Sequence, residues 1–120
     1  MNKIKFSYVW DKLNDPEFTT IRSWNKEKED YYRGCIGQEF QVWKSKETYP
    51  FRPEYVICHA YLLYSLVANP EDLDNEMLRK DVSMNGTPDM DWMEKIRKMK
   101  KVIVLTFTKA EPKQVSLETR

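Results

Sequence analysis

Thr20 and Arg22 stand two residues apart in the run EFTTIRSW, residues 17 to 24. Side chains alternate along an extended strand, so Phe18, Thr20, Arg22 and Trp24 share one face, with Thr19, Ile21 and Ser23 on the other. A guanidinium is a permanently charged, forked donor that suits a phosphate, a carboxylate or a base edge, and Thr20 sets a small hydroxyl beside it. The competing use of the same residues is structural. Threonine is a good strand former, and the arginine can pack its stem on Trp24 or pair with an acid between two elements.

A second group follows directly. Trp24, Tyr31, Tyr32 and Trp43 are interleaved with Lys26, Lys28, Arg33, Lys44 and Lys46. Aromatic rings among cations suit stacking on bases and neutralising phosphates. The region also carries Glu27, Glu29 and Asp30, so a solvated charged loop over aromatic core residues is the alternative. Asp81, at the expected end of a helix, reads locally as a helix-terminal acid whose charge the dipole disfavours, which raises its proton affinity. Lys95, Arg97, Lys98, Lys100 and Lys101 form a cationic run that fits either a phosphate stripe or a basic helix end. His59 sits inside an apolar run and reads as a core residue. Cys35 and Cys58 lie far apart with no base partner in sequence, which suits neither a disulfide framework nor a metal site.

Composition limits what these residues can serve. The 120 residues make one domain, expected over 1–110, with a polar tail at 111–120. With 20 Lys and Arg against 19 Asp and Glu the net charge is +1, so any basic surface is local. No apolar leader or long uncharged run is present, and the expectation is a cytoplasmic protein without a membrane partner, metal or cofactor.

The elements that must position the candidates follow from period and punctuation. IKFSYVW alternates Ile4, Phe6, Tyr8 and Trp10 against Lys5, Ser7 and Val9, which predicts a first strand. DKLNDPE predicts a turn, and the strand around Thr20 follows. NKEKEDYYRGCIG reads as a charged loop, QEFQVWK as a strand, and EYVICHAYLLYSLVA as a central strand. A helix begins after Asn69, read as its cap, with Pro70 in the first turn and Leu73, Met77 and Leu78 on one face. SMNGTPD breaks it, DMDWMEKIRKMKK forms a second helix, and KVIVLTFT closes the order as a buried strand. Strands, two helices and a closing strand predict an α+β domain whose mostly antiparallel, partly closed sheet carries short helices over one end.

Three stretches, FTTIR at 18–22, YYRGCIGQEFQVW at 31–43, and the helix pair before KVIVLTF, resemble the ASCH family, small PUA-like β-barrel domains related to those of RNA-modifying enzymes. The resemblance implies a cleft between barrel and helices, lined by the threonine-x-arginine strand, for RNA or a nucleotide. Thr20 and Arg22 match those strand positions, and Trp24, Lys26, Tyr32, Arg33 and Trp43 are the expected ligand neighbours. Some relatives hydrolyse the amide of N4-acetylcytidine with a lysine just ahead of the threonine, the threonine itself and a glutamate before the second helix. Here Glu17 stands at the lysine position and Asp81 at the glutamate position, so the expectation is a binding module, with a hydrolase of a modified nucleoside or of RNA as the alternative and a protein-interaction module as the third. Amide hydrolysis needs a base beside the hydroxyl. Lys12, Lys26 or Lys28 would have to reach in from another loop.

Overall fold

The computed structural model describes residues 2–47 and 54–110. The segment containing Pro50 and Pro53 and the tail at 111–120 lie outside the described residues. Among the described residues, seven strands and three α-helices follow the order β1 (Asn2–Phe6), β2 (Glu17–Ser23), α1 (Lys26–Gly34), β3 (Glu39–Ser45), β4 (Tyr55–Ala68), α2 (Asn75–Asp81), β5 (Ser83–Met84), β6 (Thr87–Pro88), α3 (Met90–Arg97) and β7 (Val102–Thr108). No helix among the described residues is long and apolar enough to cross a membrane.

Five strands form one sheet in the order β1-β3-β4-β7-β2. The β1–β3 pair is parallel and every other neighbour is antiparallel, so the mostly antiparallel α+β class is the one observed. The hydrogen-bonded ladder stays open: β1 and β2 are its two edges. One face holds the core, with Ile4 and Phe6 from β1, Phe40 and Val42 from β3, Ala60 and Leu62 from β4, and Leu105 and Phe107 from β7 all buried. Phe18 stacks on Phe107, whose ring meets Phe40 edge-on, so the alternation of three distant strands converges on a single aromatic contact. Across the two sheet edges Phe6 and Phe18 also meet edge-on, with ring centroids 6.2 Å apart.

Several expectations need correction. β1 ends at Phe6, and Tyr8 and Trp10 leave the sheet to stack on each other at 4.9 Å. The run after Trp24 is the helix α1 rather than a loop. Asn25 caps it by accepting from the Lys28 amide, and Lys26–Asp30 and Glu29–Arg33 pair at i,i+4. No residue of α1 is fully buried, so no apolar stripe marked it. Asn69 precedes only a short 3-10 turn, Pro70–Asp72, and the cap of α2 is Asp74, which accepts from the Met77 amide. His59 is exposed and pairs with Glu39 at 3.0 Å, because β4 presents it on the outer face. That face also leaves Ile57, Tyr64 and Leu66 exposed.

Candidate functional site

The connection from β1 to β2 makes a 3-10 turn at Asp11–Asn14, and its second residue, Lys12, points inward and is 4% exposed. Burying an ammonium without a partner is prohibitive. The partner is Asp81, the last residue of α2, itself 3% exposed, with Lys12 Nζ 3.0 Å from Asp81 Oδ2. Thr19 Oγ1 donates to the other carboxylate oxygen at 2.5 Å. Asp11 ties the two segments together from outside, accepting from the amides of Asn85 and Gly86 at 2.9 and 2.8 Å. Those residues form the β5–β6 turn, where positive φ angles of 52° and 79° suit an Asn-Gly pair. The turn carrying Lys12 is thus anchored to the hairpin that follows Asp81.

Burial shifts both members of the pair toward neutrality. Loss of water pushes the Lys12 ammonium below the ordinary lysine range, against the pull of Asp81. It pushes the Asp81 carboxyl above the ordinary aspartate range, against Lys12 and the Thr19 hydroxyl. Such opposed shifts, made by desolvation around a specific partner in a cleft, are what acid–base sites require. The raised proton affinity of Asp81 has burial as its first cause.

A cavity of about 290 Å³ opens beside this pair, between the free edges of β1 and β2. Lys12, Thr20, Arg22 and Asp81 all line it. Thr20 is buried at 4% exposure. Arg22 holds the seam: Nη2 donates to the Lys5 carbonyl at 3.3 Å, and the guanidinium lies 4.9 Å from the Phe6 ring centroid. Its Nε is buried and meets no acceptor among the described residues. Burial also moves the Arg22 guanidinium below its ordinary range, with Tyr32 and Asp81 near enough to oppose this.

The apolar part of the wall includes Phe6, Ile21 and Ile96 and a cluster of three further rings, Tyr8, Trp10 and Trp92. Tyr8 stacks on Trp10, and both meet Trp92 nearly at right angles, with centroids 5.5 and 6.3 Å away. Sequence reasoning assigned Tyr8 and Trp10 to a strand and Trp92 to helix packing. The aromatic share of the site therefore comes from outside the expected 24–43 region.

The expected neighbours are dispersed. Trp24 donates its indole N–H to Glu29 at 2.7 Å and lies under the Lys101 amine, and that donation holds the Glu29 carboxyl below its ordinary range. Lys26 is paired to Asp30, and Arg33 to Glu29, both on the exposed side of α1. Lys28 donates to Ser23. Tyr32 packs against Phe40, and Trp43 stands on the outer sheet face beside Tyr55. None of these six lines the cavity of Thr20. Glu17 is exposed and lines a second cavity of about 460 Å³ that shares only Lys12 and Asp81 with the first. The Lys12–Asp81 pair is thus the partition between the two. Among the described residues no cluster of His, Cys, Asp and Glu is arranged to hold a metal ion.

No protein-family model matches the chain, and neither the curated proteins nor the solved structures compared contain a significant match.

Proposed function

We propose that this cleft binds a nucleobase-sized ligand and hydrolyses an amide on it, in a PUA-like, partly closed barrel of the ASCH type. The observation that carries the reading is the meeting of a buried lysine, a buried aspartate and a buried threonine on one small cavity. Lys12 takes the role that Glu17 cannot fill. Its amine comes from the preceding turn rather than from the strand.

The chemistry follows from the burial. A Lys12 amine biased toward its neutral form is a base, and Thr20 Oγ1 is the cavity hydroxyl it would deprotonate. The alkoxide adds to the acyl carbon, and Arg22 with the newly formed Lys12 ammonium faces the oxyanion. Collapse breaks the C–N bond, the ammonium returns its proton to the leaving amine, and water hydrolyses the threonyl ester. Asp81, fixed by Thr19, holds the Lys12 amine in position throughout. The rings of Tyr8, Trp10 and Trp92 offer the planar apolar surface a base requires, and the Arg22 guanidinium on the same wall is the donor for its edge.

The test is incubation with N4-acetylcytidine while deacetylation is followed by absorbance. Turnover is expected, abolished in Thr20→Val and in Lys12→Met, and weakened through KM in Arg22→Ala with the fold retained. A second reading, binding without turnover, is favoured by one detail: the hydroxyl bonded to Asp81 belongs to Thr19, the neighbour of Thr20. Saturable binding of N4-acetylcytidine or cytidine without product would select that reading, and absence of both would defeat the cleft as a nucleoside site.

A further inference from the structure

The outer face of the sheet carries an arrangement of which only Lys5 borders the cleft. Lys3 and Lys5 project from the same side of β1, opposite the buried Ile4 and Phe6. Their amines lie 4.3 and 5.3 Å from the centroid of the Trp43 ring on the neighbouring strand, and Lys5 is also 5.8 Å from the Tyr55 ring. Trp43 and Tyr55 meet at 5.6 Å with their planes 62° apart. Register sets Lys5 opposite Trp43, and Trp43 opposite the exposed Ile57 of β4. Both lysines are exposed, and among the described residues neither is in a salt bridge with a carboxylate. This differs from α1, where Lys26 and Arg33 already have acids.

We propose that the outer face of β1, β3 and β4 is a platform for single-stranded nucleic acid, with backbone phosphates on Lys3 and Lys5 and a base against Trp43 and Tyr55. Charge selects the occupant. Two ammonium groups gathered on one ring without counter-charge favour an anion, and aromatic faces on an open sheet add stacking that tolerates any base. Residues i and i+2 of a strand stand about 6.6 Å apart, a step comparable with that between successive phosphates of an extended strand. Lys5 also lines the cavity containing Thr20 and Arg22, so a strand lying along β1 reaches the mouth of the cleft. The inference thereby extends the cleft's proposed substrate from a free nucleoside to a modified base within a polynucleotide. Platform binding itself does not depend on turnover.

The experiment is fluorescence anisotropy with a labelled cytidine decamer RNA at two salt concentrations, using wild type, Lys3→Glu, Trp43→Leu and the distant control Lys100→Glu. Lys3 lines neither the cleft nor the core. Lys3→Glu is expected to weaken binding about tenfold and to reduce the salt slope by roughly the 0.7 assigned to one single-strand phosphate contact. Trp43→Leu should weaken it comparably with less change of slope, and Lys100→Glu should leave it near wild type. Deacetylation of free N4-acetylcytidine, if the cleft performs it, should be unchanged in Lys3→Glu. The proposal is overturned by wild type that fails to bind, by equal losses in Lys3→Glu and Lys100→Glu, or by sedimentation that finds a dimer burying Trp43 and no RNA affinity. Failure of turnover with the platform variants behaving as expected removes the hydrolase reading alone.

Discussion

The Lys12–Asp81 corner and the outer side of α1 contain the same chemistry in opposite settings. In the helix, Lys26 and Asp30 are 67% and 59% exposed and stand 3.2 Å apart, whereas Lys12 and Asp81 meet at 3.0 Å with almost no access to water. Distance alone would equate them. What separates them is desolvation: an exposed pair exchanges one hydrated state for another, while the buried pair gives up most of its hydration and recovers only part of it through mutual attraction and Thr19. One pair trims a helix. The other holds proton affinities away from their solution values, the property a catalyst or a selective binding site uses.

The comparison is most severely strained by removing one buried partner. Lys12→Met, which leaves the Asp81 carboxyl buried without its cation, is expected to cost about 3–5 kcal/mol in urea unfolding. Lys12→Met combined with Asp81→Leu should recover much of that stability while leaving the cleft inactive, a separation that a purely structural pair would not produce. If the single variant is as stable as wild type, the corner is wetter than its burial indicates.

The pH response has a definite sign for each group. Asp81 binds its proton more tightly folded than unfolded, so its contribution falls as pH rises from the ordinary aspartate range through its raised folded value. Lys12 binds its proton less tightly folded, so the native state is penalised at low pH and gains as pH rises through the lowered folded value toward the ordinary lysine range. Thermal or urea stability measured across pH should therefore fall on the acidic side and recover on the alkaline side. The Lys12→Met/Asp81→Leu variant should lose both slopes. In the hydrolase reading, kcat/KM should rise with an apparent pKa below that of free lysine.

Smaller effects belong to α1. Asn25→Ala removes the cap and should cost about 1 kcal/mol. Lys26→Ala, at an exposed i,i+4 pair, should cost about 0.3–0.5 kcal/mol, with salt erasing the difference. A larger loss would mean that the helix surface does more than trim its own ends.

These two regions also differ in how far the sequence disclosed them. Alternation was enough for β2 and β3, because each sends one set of side chains into a common core, and the apolar run of KVIVLTFT was enough for β7. The spacing of Met93 and Ile96 was enough for α3. In α1 the same reading failed, since periodicity reports burial and this helix buries none of its residues completely. Its cap and charge pairs were present as signals, but Gly34 and the polarity of the run pointed to a loop. At the site, Thr20 and Arg22 were legible because both chemistry and strand phase singled them out. Asp81 came only with a family resemblance. Lys12 was one of three possible lysines, since nothing local to residue 12 encodes a partner 69 positions away. Tyr8, Trp10 and Trp92 escaped because alternation and helical spacing accounted for them already, and only the closing of the chain turned three core-like rings into a wall.

The open seam between β1 and β2 has a mechanical consequence. Everywhere else adjacent strands are fastened by backbone ladders, but here the spacing is set by side chains, chiefly Arg22 reaching the Lys5 carbonyl and Phe6 against Phe18. The molecule consequently has one soft direction, across the seam, while the remaining sheet resists deformation. The strap joining the two edges, residues 7–16, carries Lys12, and that strap is pinned through Asp11 to the hairpin beyond Asp81. Prying the edges apart therefore strains the strap that delivers the amine, so the width of the slot and the alignment of its reactive groups are one variable.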